Sequence, residues 1–336
     1  MLSPAGAPLP DPAEIFAGLE RSSGLLLAVS GGPDSTALLA LVDRWRRATA
    51  VPVSVATVDH CLRPQSRAEA EAVATLCAAR GLAHTILTWA GEKPATGLPA
   101  AARAARYRLL EAHAREIGAD TIVTAHHADD QAETVLMRLL RGSGPTGLAG
   151  MARVSPAPWP EGQGLTLARP LLGVAKVDLV GFCRAEGLGY FEDPTNADAA
   201  YRRPQLRRLA DVLAQEGLGR AELNRLAARA ARAEQALAPA IAAMIAALPA
   251  RRTEAVFEAP SEGVRVLPDE ALVRLLSAEV ARIGGAAPRL EQVENLVERL
   301  RRNGALAATL AGVSLKFDAK RLILQPQNPR KPRTSA

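Results

Sequence analysis

The stretch LAVSGGPDSTALLA, Leu27 to Ala40, constrains the fold more than any other part of this chain. An apolar run, Leu25–Val29, stops abruptly at Ser30-Gly31-Gly32-Pro33-Asp34-Ser35, and apolar residues then resume at helical spacing. A buried strand that passes through two glycines straight into a helix can aim several backbone N–H groups at one point. The helix dipole adds partial positive charge there. Ser30 and Ser35 contribute hydroxyl donors, and Gly31 and Gly32 admit a ligand where a Cβ would intrude. The turn is not a Walker A loop, because no Gly-Lys-Ser/Thr follows, nor is it a dinucleotide G-x-G-x-x-G. Asp34 suits a bare anion poorly, so its carboxylate suggests a metal ion bridging to phosphate. A plain glycine turn with Asp34 as helix N-cap is the simpler alternative.

The same strand-then-helix grammar continues to about residue 190. Leu25–Val29, Val53–Val58, His84–Thr88 and Thr121–Thr124 read as strands. Ser35–Arg47, Ser66–Arg80, Ala100–Ile117, Asp129–Arg141 and Lys176–Ala185 read as helices, and Gly142–Pro170 mostly as loop. This alternation predicts an α/β fold, a parallel sheet with helices on both faces. In such sheets ligands bind beyond the carboxyl ends of the strands. Three polar clusters fall at those ends: Ser30–Ser35, Asp59–Arg63 and His126–Asp130.

Beyond about Gln205 the pattern changes to Ala- and Arg-rich helices, notably Ala221–Ala247, with strand character in Ala255–Leu267 and Leu306–Leu324. The expected organisation is an extension over 1–20, an α/β domain over 21–214, a smaller helix-rich α+β domain over 215–325 and a basic tail over 326–336. At 336 residues and 48% hydrophobic the chain can fill two cores; with 3% aromatics, those cores must be built from Ala, Leu and Val. A formal charge of +6 favours a polyanionic partner. Only five of its 41 basic residues are lysines. Arginine suits phosphate through its forked donors, although genomic composition explains that bias equally well. Cys61, Cys77 and Cys183 have no paired spacing, which argues against a zinc site or disulfide framework and for a reducing interior. The N-terminal MLSPAGAPLPDP lacks the form of a signal peptide, and no apolar stretch approaches a membrane span. A cytoplasmic protein without a membrane partner is expected; a homodimer is left open.

Ser-Gly-Gly-x-Asp-Ser after a first strand resembles the pyrophosphate loop of the ATP pyrophosphatase superfamily, whose members split ATP into AMP and pyrophosphate. A second stretch, TAHHADDQAETVLMRLLRGSGPTGLAGM (Thr124–Met151), narrows the choice. On a helix starting near Asp129, Asp130, Glu133 and Arg141 lie near one face, while Val135, Leu136, Leu139 and Leu140 can pack toward the sheet. A His and several carboxylates at a strand end can bind an amine, hold magnesium or assist proton transfer.

This stretch closely resembles the tRNA(Ile)-lysidine synthase family. The pattern His-x-x-Asp-Asp-Gln-Ala-Glu-Thr falls on His126 and Asp129–Thr134, with Arg141–Gly144 and Gly147–Met151 following. Val58-Asp59-His60 with Leu62-Arg63, Arg169–Leu172 and Glu192–Asn196 also match, so the resemblance covers roughly residues 25 to 207. It implies a PP-loop ATPase fold of the adenine nucleotide α-hydrolase type. It also implies an enzyme that joins free lysine to C2 of the wobble cytidine of a tRNA(Ile) with anticodon CAU, changing its codon from AUG to AUA. The C2 oxygen attacks the α-phosphate of ATP and pyrophosphate leaves; the lysine ε-amine then attacks C2 and expels AMP.

By the same resemblance, Ser30, Gly31, Gly32, Pro33, Asp34, Ser35, Asp59, His60 and Arg63 hold ATP, with Asp34 on Mg2+. Asp34, His126, Asp130, Glu133 and Arg207 serve the chemistry, Asp130 and Glu133 holding the lysine amine. Asp129, Asp130, Glu133, Arg141, Asn196, Arg203 and Arg207 face tRNA or substrate. The chain departs from the family at Arg203-Pro204-Gln205-Leu206-Arg207, where Arg-Asn-x-x-Arg is usual, and at Thr195, usually Ser. Pro204 is suited to open a helix over Gln205–Leu213. A tRNA thiolase of the same superfamily is the nearest rival, but it would need paired or catalytic cysteines; a nonenzymatic nucleotide- or RNA-binding protein is another.

Overall fold

The computed structural model describes residues 9–159, 162–191 and 202–327. Its first half alternates as the sequence predicts: α1 (Pro12–Ile15), β1 (Leu25–Ala28), α2 (Pro33–Arg46), β2 (Val53–Asp59), α3 (Ser66–Ala78), β3 (Ala83–Thr88), α4 (Leu98–Glu116), β4 (Thr121–Thr124) and α5 (Ala128–Leu139). Then come α6 (Pro145–Leu148), β5 (Val154–Pro156), β6 (Thr166–Ala168), a 3-10 turn at Pro170–Gly173, α7 (Lys176–Ala185), α8 (Arg202–Gln215) and α9 (Arg220–Ala246). The stretch read as loop, 142–170, thus contains two strands. Each spans three residues, too few to show a period, and their pairing rather than their composition makes them strands.

Six strands form one sheet in the order β3-β2-β1-β4-β6-β5. The first five run parallel and β5 pairs antiparallel at the edge. β1 is central, with Leu25 beside Val53 on one flank and Thr121 on the other. Its continuous apolar run is what a strand covered on both faces needs. Leu25 and Leu27 pack with Leu38, Leu41, Val73 and Leu179 from α2, α3 and α7. Leu26 points the other way, toward Tyr107, Leu110 and Ala114 of α4. The sheet therefore has helices on both faces. From β1 the chain builds outward to β2 and β3, then returns to place β4 on the opposite flank. That reversal leaves a crevice between the carboxyl ends of β1 and β4.

Two compact units emerge: Met1–Met137 with Gly150–Arg225, and Arg138–Ala149 with Leu226–Ala336. The second holds an antiparallel sheet in the order β7 (Arg251–Arg252), β8 (Phe257–Pro260), β11 (Arg321–Pro326), β10 (Val313–Phe317), β9 (Leu306–Leu310). Helices α10 (Ser261–Val266), α11 (Asp269–Gly284) and α12 (Leu290–Arg302) complete it. Leu272, Leu276, Val293, Leu296, Leu315 and Leu322 lie in its core. The strand character read over Ala255–Leu267 holds only for β8; Ser261 onward is helical. One further expectation needs correction. Leu139 and Leu140, expected against the sheet, are exposed, because α5 ends at Leu139 and the chain turns away; Val135 and Leu136, a turn earlier, are buried.

The central strand sets the stability of the first unit. Leu27→Ala, at a fully buried position, should cost about 2–5 kcal/mol through lost burial and a residual cavity. Val266→Ala, at a position 77% exposed, should stay within about 0.5 kcal/mol. Urea unfolding of the two variants measures both.

Candidate functional site

The glycine turn lies at the mouth of the crevice. Gly31 takes φ +83°, a conformation costly for any residue with a Cβ, and a Cβ there would lie 3.1 Å from Val73 Cγ2. Gly32 is the N-cap of α2 and Pro33 its first residue, where a missing N–H costs nothing. Ser35 stitches the loop closed. Its Oγ accepts from the Ser30 backbone N–H at 3.2 Å and donates to the Gly32 carbonyl at 3.1 Å. The Ser30 and Ser35 hydroxyls stand 3.2 Å apart. On the outer side, the Phe191 N–H donates to the Gly31 carbonyl at 2.9 Å. No described group accepts from the backbone N–H of Gly31, Gly32, Asp34 or Ser35. These donors converge where a helix begins, as an anion site requires.

Asp34 turns back across the crevice. Its Oδ2 lies 3.5 Å from His127 Nε2 and 3.9 Å from Lys176 Nζ. Its Oδ1 is buried with no hydrogen-bond partner among the described residues. His127 itself is 5% exposed. Its Nδ1 accepts from the backbone N–H groups of Asp129 and Asp130 at 3.2 and 3.4 Å, which caps α5. Its Nε2 lies 3.4 Å from Asp130 Oδ2. Burial works against a charged imidazolium here. The neighbouring carboxylates of Asp34, Asp130 and Asp129 outweigh it and raise the His127 pKa. The cap pulls the other way, since an accepting Nδ1 holds the neutral ring in the Nε2–H tautomer.

Several of the remaining polar residues organise the loops around the site. Asp129 Oδ2 accepts from the Lys176 backbone N–H at 2.9 Å, tying down the start of α7, and both its oxygens meet Arg220 at 3.2 Å. Gln131 clamps Met151 through two hydrogen bonds, to its carbonyl at 3.0 Å and from its N–H at 2.8 Å. A Cβ on Gly150 would come within 2.7 Å of that amide, so the Gln131 and Gly150-Met151 motifs are two halves of one joint. At the end of β2, Asp59 Oδ1 accepts from the Cys61 N–H at 2.8 Å and the Ser66 hydroxyl at 2.7 Å. Burial disfavours that carboxylate's charge, but these hydrogen bonds prevail and lower its pKa. His60 meets Trp89 edge-on at 5.9 Å, and burial followed by the Arg106 charge lowers its pKa. Arg63 pairs with Glu69 at 3.0 Å.

The crevice thus brings together Ser30–Ser35, Asp129 and Asp130. Glu133 lies one turn further along α5, and His126 meets the Thr124 hydroxyl through Nδ1 at 2.8 Å. Arg141 is exposed beyond the end of α5. Arg203 and Arg207 lie in α8, which Pro204 enters in its first turn; their side chains, and all of Asn196 and the rest of Glu192–Asn196, lie outside the described residues. Two members of the cluster were missed by sequence reasoning, which chose His126 of the His-His pair. His127 is the histidine that reaches Asp34, and Lys176 joins it from a different helix. A residue that must cap α5 faces back into the crevice, and that signal was available in the position of His127 directly before Ala128. Lys176 carried no comparable signal.

The cysteines stand apart. Cys61 is exposed, while Cys77 and Cys183 are buried on separate helices, where burial pushes each thiol up to about 11. Among the described residues no three His, Cys, Asp or Glu side chains group as a metal site, and no helix is long and apolar enough to cross a membrane. Arg225, at the end of the first unit, pairs with Glu222; in the second unit Arg252 pairs with the buried Glu279, while Arg229, Arg232 and Arg251 are exposed.

The model of the PP-loop domain matches residues 12–213. A tRNA(Ile)-lysidine synthase of Methylobacterium nodulans is 48% identical over 320 residues, covering 92% of each chain. One from Rhodopseudomonas palustris is 44% identical and covers 95% of each. Among solved structures, a U34-tRNA thiolase from Methanococcus maripaludis shares the fold, with TM-score 0.54 and 17% identity over 65% of this chain and 77% of its own. A parallel sheet with a glycine turn at its switch point, a PP-loop match and relatives of one kind matched along most of their length agree: the chain belongs to the tRNA(Ile)-lysidine synthase family of PP-loop enzymes.

Proposed function

We propose that this chain uses ATP to join free lysine to C2 of the wobble cytidine of tRNA(Ile) with a CAU anticodon. The reading rests on one juxtaposition. A turn whose N–H donors have no partner among the described residues, suited to polyphosphate, faces a carboxylate-rich helix start, suited to an amine, across one crevice. In the first step the C2 oxygen of the base attacks the α-phosphorus and the bond to pyrophosphate breaks. The turn amides of Gly31, Gly32, Asp34 and Ser35 would stabilise the charge that gathers on the leaving group. In the second, the lysine ε-amine attacks C2, AMP leaves with the oxygen, and the amine gives up a proton. A lysine amine has an ordinary pKa near 10.4, so it arrives as a cation and needs anionic neighbours. Asp130 and Glu133 would hold it and His126 would assist.

Asp34 fits a magnesium ion carried in with ATP. Its buried Oδ1 lacks a partner among the described residues, and Mg2+ is usually held by one or two carboxylates plus substrate phosphates rather than by an all-protein cage. The ion would neutralise phosphate charge; Lys176, beside the same carboxylate, adds a second positive group. Asp59, His60 and Arg63 would shape the nucleotide end of the crevice, with Asp59 acting through the loop it organises. Arg141, Asn196, Arg203 and Arg207 would face the tRNA, with Arg207 closest to the chemistry. Residues from about 215 onward would serve tRNA docking, through exposed arginines such as Arg229, Arg232 and Arg251. The cytoplasm, where tRNA is found, is the proposed place of action.

The thiolase reading finds less support. A thiol held near 11 by burial is a poor nucleophile at neutral pH, and that describes both Cys77 and Cys183.

Asp34→Ala should abolish tRNA-dependent pyrophosphate release while the protein stays folded by circular dichroism. Pyrophosphate release at the wild-type rate would remove Asp34 from the ATP site. Asp130→Asn and Glu133→Gln should keep pyrophosphate release but raise the KM for lysine at least about tenfold, as loss of a charge-assisted hydrogen bond predicts. Replacing all three cysteines with Ser or Ala should leave lysidine formation largely intact. An inactive but folded triple variant, with sulfur incorporated into the tRNA, would favour the thiolase instead.

A further inference from the structure

The proposed adenylation and amine-binding halves of the site meet at His127. Its Nδ1 is committed to the backbone N–H groups of Asp129 and Asp130, which leaves one donor, Nε2–H. That donor stands almost midway between two carboxylate oxygens, 3.5 Å from Asp34 Oδ2 and 3.4 Å from Asp130 Oδ2. Both distances are longer than a formed hydrogen bond, so the single Nε2–H faces two acceptors and is committed to neither. Asp130 Oδ2 also accepts from the His127 backbone N–H at 3.1 Å. No described residue hydrogen-bonds to Asp130 Oδ1.

We propose that His127 is a positioning residue that couples ATP binding to lysine binding through this shared proton. The proposal rests on the lysidine-forming reading above. With the ATP site empty, the negative charge of Asp34 competes for the Nε2–H. Once Asp34 is engaged by the nucleotide, its pull on the imidazole weakens and the donor settles on Asp130. Asp130 Oδ2 is then held by two donors from one residue, and Oδ1 is presented to the incoming ammonium. The ring neither gains nor loses a proton, and no covalent bond changes. Coupling of this kind is reciprocal: ATP strengthens lysine binding by the factor by which lysine strengthens ATP binding.

The two ring nitrogens can be separated by substitution. In His127→Asn the amide occupies roughly the place of Nδ1 and remains a good helix cap, but nothing reaches Nε2. In His127→Gln the longer side chain restores an N–H near Nε2. Two measurements on full-length enzyme with tRNA(Ile) suffice: pyrophosphate release without lysine, and the KM for lysine in lysidine formation at saturating ATP. Melting temperatures show that the variants are folded. His127→Asn should release pyrophosphate within about threefold of wild type while its lysine KM rises about tenfold, the scale of one hydrogen bond to a charged group. His127→Gln should recover most of that KM. A wild-type lysine KM in His127→Asn overturns the proposal. So does an equal loss of pyrophosphate release and lysine transfer in both folded variants, because His127 would then serve adenylation alone. A wild-type enzyme that forms AMP without consuming lysine would instead overturn the functional reading itself.

Discussion

Everything in the site depends on backbone N–H groups that have no partner among the described residues. A helix must begin with unsatisfied donors, and a parallel strand must end by leaving the sheet. At Ser30–Ser35 both happen within six residues, in a turn that Gly31 can make only at positive φ. Ser35 uses its hydroxyl to hold this geometry from inside, so the donors stay aimed outward before any ligand arrives. Such preorganisation costs no rearrangement when charge develops on a leaving phosphate.

A site of donors alone would bind anions and do nothing more. The carboxyl end of β4 supplies the opposite character. Asp129, Asp130 and Glu133 follow one another on the first turn and a half of α5, and placing them together is costly unless their charge is used. Asp129 spends its charge on the start of α7 and on Arg220. Asp130 and Asp34 share the imidazole of His127. The arrangement is a partly neutralised acidic pocket beside a turn of N–H donors, which suits a reaction that first expels an anion and then admits a cation.

The motif residues outside the crevice have a different function from those within it. Gln131, Gly150 and Met151 form a joint between α5 and the chain that returns toward β5. Asp59 binds its own loop through Cys61 and Ser66. These residues keep the chemical groups in register, and the constraint they obey is close packing: the Gly150 position has no room for a Cβ.

The strand–helix alternation was legible in the sequence because hydrophobic period and turn chemistry are local properties. β4 and α7 were read at their observed bounds, and β1, β2, β3 and α2 to α5 to within two residues at each end. The glycine turn was legible for the same reason, since its function lies in backbone geometry that only certain residue types permit. Composition and motif together determined the fold class and the family. What they could not determine was which residues face one another. The three-residue strands β5 and β6 exist only through pairing, and Leu139 and Leu140 are exposed only because α5 ends where it does. His126 and His127 are chemically identical and adjacent; one meets a threonine hydroxyl and the other meets Asp34, across a gap of more than ninety residues. That choice belongs to the tertiary structure, because it is made by the switch point between β1 and β4, which sets two strand ends side by side that the sequence keeps far apart.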